Sequence, residues 1–154
     1  MSAKDIEDDF PHLRLTGYTI RSPIDPSYNC IAWAVGENWR HWSPLALVLG
    51  GYYWPPGAPR GHEVDDIVEL FRMVGGYSPS VSNDDTLEPG FEKIAIYAYP
   101  DQLVQHVARQ TPSGLWVSKL DNDEDIEHRT LDGLEGSIYG TVVRILTKPI
   151  PQQA

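Results

Sequence analysis

The chain has one cysteine, Cys30, so an internal disulfide is excluded, and so is a zinc site built from several thiolates. It is poor in basic residues. Twelve Lys and Arg stand against 22 Asp and Glu, for a net charge of -10. Binding along a nucleic-acid backbone needs clustered cations, and so does an anionic membrane surface; neither partner fits this balance. Long apolar runs are missing too. The longest, from Pro44 to Leu49, is far too short to span a bilayer. The first nine residues are acidic and carry no apolar segment of the kind found in a secretory leader. The cytoplasm is the default compartment, an export route needing no such leader being the alternative.

What is present is a globular composition, 41% hydrophobic and 22% charged, over 154 residues. That is enough for a single domain, residues 1–154, with a real core. Trp33, Trp39, Trp42 and Trp54 crowd into one stretch, where packing explains them better than a ligand platform does. Residues 1–11 read as a loose flexible arm. Tyr18 to Arg21 reads as a short strand, broken by Pro23 and Pro26. Cys30 to Val35 reads as a short helix, with Ser27 or Asn29 as its cap and Gly36 as its stop. Residues 37–61 are rich in Pro and Gly and form a long aromatic loop, with one short helix before Gly50.

Val64, Ile67, Val68, Phe71 and Val74 then recur at helical spacing, behind acidic residues that suit a helix N-terminus, and Gly75-Gly76 ends the run. Residues 78–88 read as a polar loop. From Phe91 onward the pattern is that of strands: Ile94, Ile96 and Ala98 alternate with Lys93, Tyr97 and Tyr99. Val104–Gln110 and Leu115–Leu120 flank a Thr-Pro-Ser-Gly turn. Residues 121–125 read as a solvated acidic loop. Tyr139 to Leu146 reads as a last strand, with Val143 and Ile145 on one face and Val142 and Arg144 on the other. The expected class is α+β, with N-terminal helices packed on a C-terminal antiparallel sheet.

A thiol opening a helix faces the positive end of the peptide dipoles, which favours the thiolate. To act as a nucleophile it also needs a base, usually histidine, and a group that orients that base. Of the five histidines, His12 lies in the arm, His41 in the aromatic loop, His62 at the opening of the second helix and His128 after the acidic loop. His106 stands near the start of a sheet strand, where a helix packed on the sheet would meet it. His62 with Glu63, Asp65 and Asp66 is better explained as an acidic first turn than as a metal set. Residues 121–125 lack the glycine and distal glutamate of a calcium loop.

Taken in order, Asn29-Cys30-Ile31-Ala32-Trp33-Ala34, then Leu87-Glu88-Pro89-Gly90-Phe91-Glu92-Lys93-Ile94, then His106-Val107-Ala108 resemble NlpC-type papain-like cysteine peptidases and amidases. The run from Tyr28 to Ala34, with the later Leu115-Trp116-Val117-Ser118-Lys119-Leu120, is also similar to a bacterial family of uncharacterised proteins taken to share that fold. The resemblance covers about residues 18–147. It implies that Cys30 attacks an acyl carbon and His106 serves as base. The third residue is implied on the following strand, where Ser118 accepts from an imidazole and Lys119 cannot; Asp121 is the carboxylate alternative. Asn29 stands where these enzymes usually have a small or acidic residue, and no glutamine precedes the cysteine. The oxyanion would fall to backbone N–H groups, or to Tyr18 or Tyr28. The resemblance implies a peptide or other amide substrate and no cofactor. The alternative is a non-enzymatic module of the same scaffold that binds a basic protein, such as a toxin.

Overall fold

Alternating apolar residues in the C-terminal half build most of an antiparallel sheet. The computed structural model describes residues 3–22, 25, 27–44, 52–80, 83–120 and 124–150. The elements in chain order are α1 (Ala3–Asp9), α2 (Leu13–Thr16), β1 (Tyr18–Ser22), α3 (Cys30–Ala34) and α4 (Val64–Gly75). There follow β2 (Ser78–Pro79), β3 (Phe91–Ala98), β4 (Val104–Gln110), β5 (Trp116–Lys119), β6 (Asp125–His128), a 3-10 turn (Asp132–Leu134) and β7 (Thr141–Pro149). The seven strands lie in the order β1-β6-β5-β4-β3-β7-β2, every neighbouring pair antiparallel. The class is α+β, with the sheet dominant. The short helix expected before Gly50 falls outside the described residues, as does Asp121.

Both faces of the sheet are covered. On one face α3 and α4 bury Ile31, Ala34, Ile67, Leu70 and Phe71 against Ile94, Ile96, Val107 and Leu146. On the other, Ile6, Phe10 and Leu13 join Leu131, Leu134 and Tyr139 over Ala95, Tyr97, Ala108, Trp116, Ile126 and Ile145. The supposed arm is therefore a helix pinned by Ile6, which is fully buried. One such side chain contributes about 2 kcal/mol, enough to order a short segment that is otherwise acidic. On α4, Leu70 is buried and Val74 is not. The helix begins where the Asp66 carboxylate accepts from the Glu63 N–H at 3.3 Å, and ends at Gly76 with φ 70°.

Of three register shifts in the sheet, one on β1 and two along β3, the latter two reset the faces of β7 and β4. Ile96 pairs with Arg144 but Tyr97 pairs with Val142, so Val143 is the extra residue. Val142 therefore shares a face with Ile145, and Val143 packs against the cluster that holds Leu146. The faces expected for this strand are corrected accordingly. On β4, Tyr97 pairs with His106 and Ala98 with Val104, which makes Gln105 the extra residue. Val104 and Val107 consequently face α3, while His106 and Ala108 face away from it.

Candidate functional site

Cys30 is the first residue of α3 and is 8% exposed. Its position is set by Asn29. The Asn29 side-chain oxygen accepts from the N–H of Ala32 and the N–H of Trp42, each at 3.2 Å, and its amide nitrogen donates to the Trp42 carbonyl at 2.8 Å. One side chain thus caps the helix and ties the aromatic loop to it. Trp42 is held at its far end, where its indole N–H donates to Glu37 at 2.6 Å. The same carboxylate takes both arms of the Arg40 guanidinium, at 2.8 and 2.9 Å. Those bonds keep the Glu37 carboxyl below its usual range. Arg40 in turn lies 3.7 Å from the Tyr53 ring centre and 4.3 Å from that of Trp39.

A cavity of about 180 Å³ opens beside Cys30; Asn29, Trp42, Ser43, His62 and Gln105 also line it. His62 is placed there by the entry to β4: its carbonyl accepts from the Val104 N–H at 2.7 Å, and Val64 N–H donates to the Gln102 carbonyl at 3.0 Å. Desolvation lowers the His62 pKa, with the Asp66 carboxylate pulling it partly back. The desolvation favours the neutral imidazole, the form a general base requires.

His106 also borders this cavity through its strand, but its ring is turned to the opposite side of the sheet. There it stacks on Tyr139, ring centres 4.2 Å apart and planes 6° from parallel, and it tilts against Tyr97 at 5.4 Å. The residue is fully buried, and neither ring nitrogen has a hydrogen-bond partner among the described residues. Burial, with a smaller contribution from His128, holds its pKa well below the ordinary value. The structure does not join His106 to Cys30 by a hydrogen bond, and the alternation of β4 is the reason.

Ser118 faces the same side as His106. Val117 lies opposite Arg109, which leaves Ser118 two residues along the strand from the level of His106. Its hydroxyl meets His128 Nε2 at 2.8 Å, and His128 Nδ1 meets the Thr130 carbonyl at 2.9 Å. A carbonyl only accepts, so Nδ1 carries the proton and Nε2 accepts from Ser118. Burial pushes the His128 pKa down to about 4, against the raising effect of the Thr130 carbonyl. Hydroxyl, imidazole and carbonyl repeat the order of a serine-histidine relay, yet both side chains are fully buried, and the set closes the core under β1.

Lys119 points the other way, toward α3. Its ammonium donates to the Asp25 carbonyl at 2.6 Å and lies 4.8 Å from the Tyr28 ring centre. Neither Tyr18 nor Tyr28 borders the Cys30 cavity, so neither is placed as an oxyanion donor. Among the described residues no group of three or more His, Cys, Asp or Glu gathers to hold a metal, and no helix is long and apolar enough to cross a membrane. Two histidines outside the expected pair take part in these sites. His62 has the signal of standing just before a capped helix. His128 has none, because its partner is ten residues away across a turn.

Comparison with known proteins places the chain without assigning it an activity. No curated protein and no solved structure matches it. A family model described as a domain of unknown function, DUF7689, matches residues 19–147, a span that takes in most of β1, the Cys30 cavity and most of β7. The chain belongs to the DUF7689 family.

Proposed function

We propose that this protein is a cysteine hydrolase of papain-like type that cleaves an amide or related acyl bond. Cys30 is its nucleophile and His62, in place of the expected His106, is its base. The observation that carries the reading is that Cys30 and His62 line one cavity while the His106 ring faces the other side of the sheet. A helix that begins at the cysteine and packs on an antiparallel sheet agrees with the NlpC-type resemblance. In the reaction His62 takes the thiol proton and the Cys30 sulfur bonds to the acyl carbon. The proton then passes to the leaving amine as the C–N bond breaks, and water, deprotonated by His62, releases the acid from the thioester. No cofactor enters these steps.

The test is the rate at which iodoacetamide alkylates Cys30 between pH 5 and 9. The reading expects faster labelling at pH 7 than free cysteine shows, a loss of at least about tenfold in His62→Gln, and little change in His106→Leu. Labelling no faster than that of free cysteine, insensitive to His62, overturns it. Such a result favours the second reading, an acidic module for a basic partner, in which 22 carboxylates against 12 cations supply the attraction.

A further inference from the structure

A sulfur–carbon bond at Cys30 leaves negative charge on the acyl oxygen, which needs hydrogen-bond donors aimed at it. Among the described residues the lining of the Cys30 cavity holds no Lys or Arg to offset that charge. Several backbone N–H groups around it are already spent. Those of Ala32 and Trp42 donate to the Asn29 side-chain oxygen, that of Ser43 to the Tyr53 carbonyl at 2.9 Å, and that of Val104 to the His62 carbonyl. The charge therefore calls for a neutral side-chain donor on the cavity wall.

Gln105 meets that description. It is the extra residue of the β4 bulge, two positions before Val107 and next to Val104, both of which face α3. The bulge sets two successive side chains, Val104 and Gln105, toward α3, and both line the Cys30 cavity. Gln105 is half-buried. Its amide nitrogen donates to the Leu103 carbonyl at 3.2 Å, which holds the carboxamide against its own strand. An amide nitrogen carries a second hydrogen, and among the described residues that one has no partner. The extra residue breaks the ladder at this point and delivers a neutral donor to the cavity.

We propose that the Gln105 carboxamide donates to the oxyanion formed at Cys30. The inference rests on Cys30 being the nucleophile and His62 its base. As the thiol proton passes to His62 and the sulfur–carbon bond forms, the carbonyl π pair moves onto oxygen, where the Gln105 N–H meets it. When the pair returns, the C–N bond breaks and the leaving amine takes the proton from His62. A hydrogen bond to an ionised oxygen is stronger than one to a neutral carbonyl, so the donor acts mainly on the acyl step. A reaction of the same thiol that creates no oxyanion is left alone.

The test sets two reagents against each other on the full chain. 4-Nitrophenyl acetate acylates a thiol through an oxyanion and releases 4-nitrophenolate, read by its absorbance. Iodoacetamide alkylates the thiol by displacement, with no oxyanion. The Cys30-dependent rate is what remains after subtracting that of Cys30→Ala. Gln105→Met, close in size but without a donor, is expected to slow acylation at least about tenfold and to change alkylation less than about twofold, and Gln105→Ala to do the same. Acylation untouched in both variants overturns the proposal. So does an equal fall in both reactions, which makes Gln105 a support of the thiol and not of the oxyanion. Either result leaves the His62 dependence of alkylation standing. Parent rates no faster than those of free cysteine with both reagents overturn the Cys30 reading, and this proposal with it.

Discussion

Lowering the pH from 7 to 5 should destabilise this protein far more than its exposed carboxylates explain, and the cause is the buried pair His106 and His128. Both are buried as neutral imidazoles, His128 between Ser118 and Thr130 and His106 between Tyr139 and Tyr97. The sign follows from their pKa values. Each is lower in the folded state than in the unfolded chain, so the unfolded chain binds more protons as pH falls, and stability falls with it. For His128, folded at about 4 against about 6.5 unfolded, the loss begins near pH 6.5 and levels off near pH 4. Linkage puts it at about 2 kcal/mol by pH 5 and about 3 kcal/mol by pH 4 for this one group. His106 is shifted in the same direction and adds to it. His62 does too, but its solvent access discounts its share.

The window from pH 7 to 5 isolates the histidines, because Asp25, Glu37, Glu69 and Asp84 have lowered pKa values whose stabilisation is lost only further down, below the usual carboxylate range. The assay is urea unfolding at pH 7, 6 and 5. The control is the double variant Ser118→Ala, His128→Leu, which removes donor and acceptor together and should take away the His128 share of the pH dependence, leaving that of His106. Equal stability of the parent at pH 7 and pH 5 would refute the reasoning, since it would mean that both imidazoles take up protons in the folded state at no cost.

Further outcomes test the frame around the sites. Gly140→Ala places a Cβ 2.2 Å from the Ala98 carbonyl at φ +75°, and should cost about 3 kcal/mol, lowering the melting temperature by roughly 10 °C in calorimetry. Asn29→Ala frees the start of α3 and the Trp42 backbone together. A loss of about 2 kcal/mol is expected in chemical unfolding, along with a changed alkylation rate at Cys30. Lys93→Met strips the bonds from a fully buried ammonium to the Asp84 and Thr86 carbonyls at 2.7 and 2.8 Å. It should destabilise by about 2 kcal/mol and speed hydrogen exchange in the segment around residues 83–88.

The sequence was legible where polarity and burial agree. Ile94, Ile96 and Ala98 mark β3, and Val64, Ile67 and Phe71 mark α4, because each apolar residue lies on the face it covers. Legibility failed where a buried position carries a polar group. Asp125 reads as the end of an acidic loop and residues 126–128 carry no strand signal, yet Asp125–His128 is β6, since Asp125 finds its partner in Ser22 and His128 finds Ser118. It failed again at the bulges. A strict alternation cannot reveal that Gln105 or Val143 is an extra residue, and on β4 that single residue decides which side of the sheet receives His106. At the candidate site Cys30 and its Asn29 cap were readable from local chemistry. That Cys30 and His62 line one cavity depends on the chain pairing around residues 62–64 and 102–104, which no local pattern encodes.

The strand order β1-β6-β5-β4-β3-β7-β2 also constrains how the chain is made. Its two outer strands, β1 and β2, are the first to leave a ribosome, and each waits for a late partner. Tyr18 pairs with His128, and Ser78 with Thr147. The β3–β4–β5–β6 meander closes on itself through neighbouring contacts, but the helices that come before it have no sheet to cover until it exists. Synthesis from the N-terminus therefore exposes Ile6, Phe10, Ile31 and Phe71 long before their burial. The helices gain a sheet to cover only once the meander is out, and β2 gains its partner only when β7 follows.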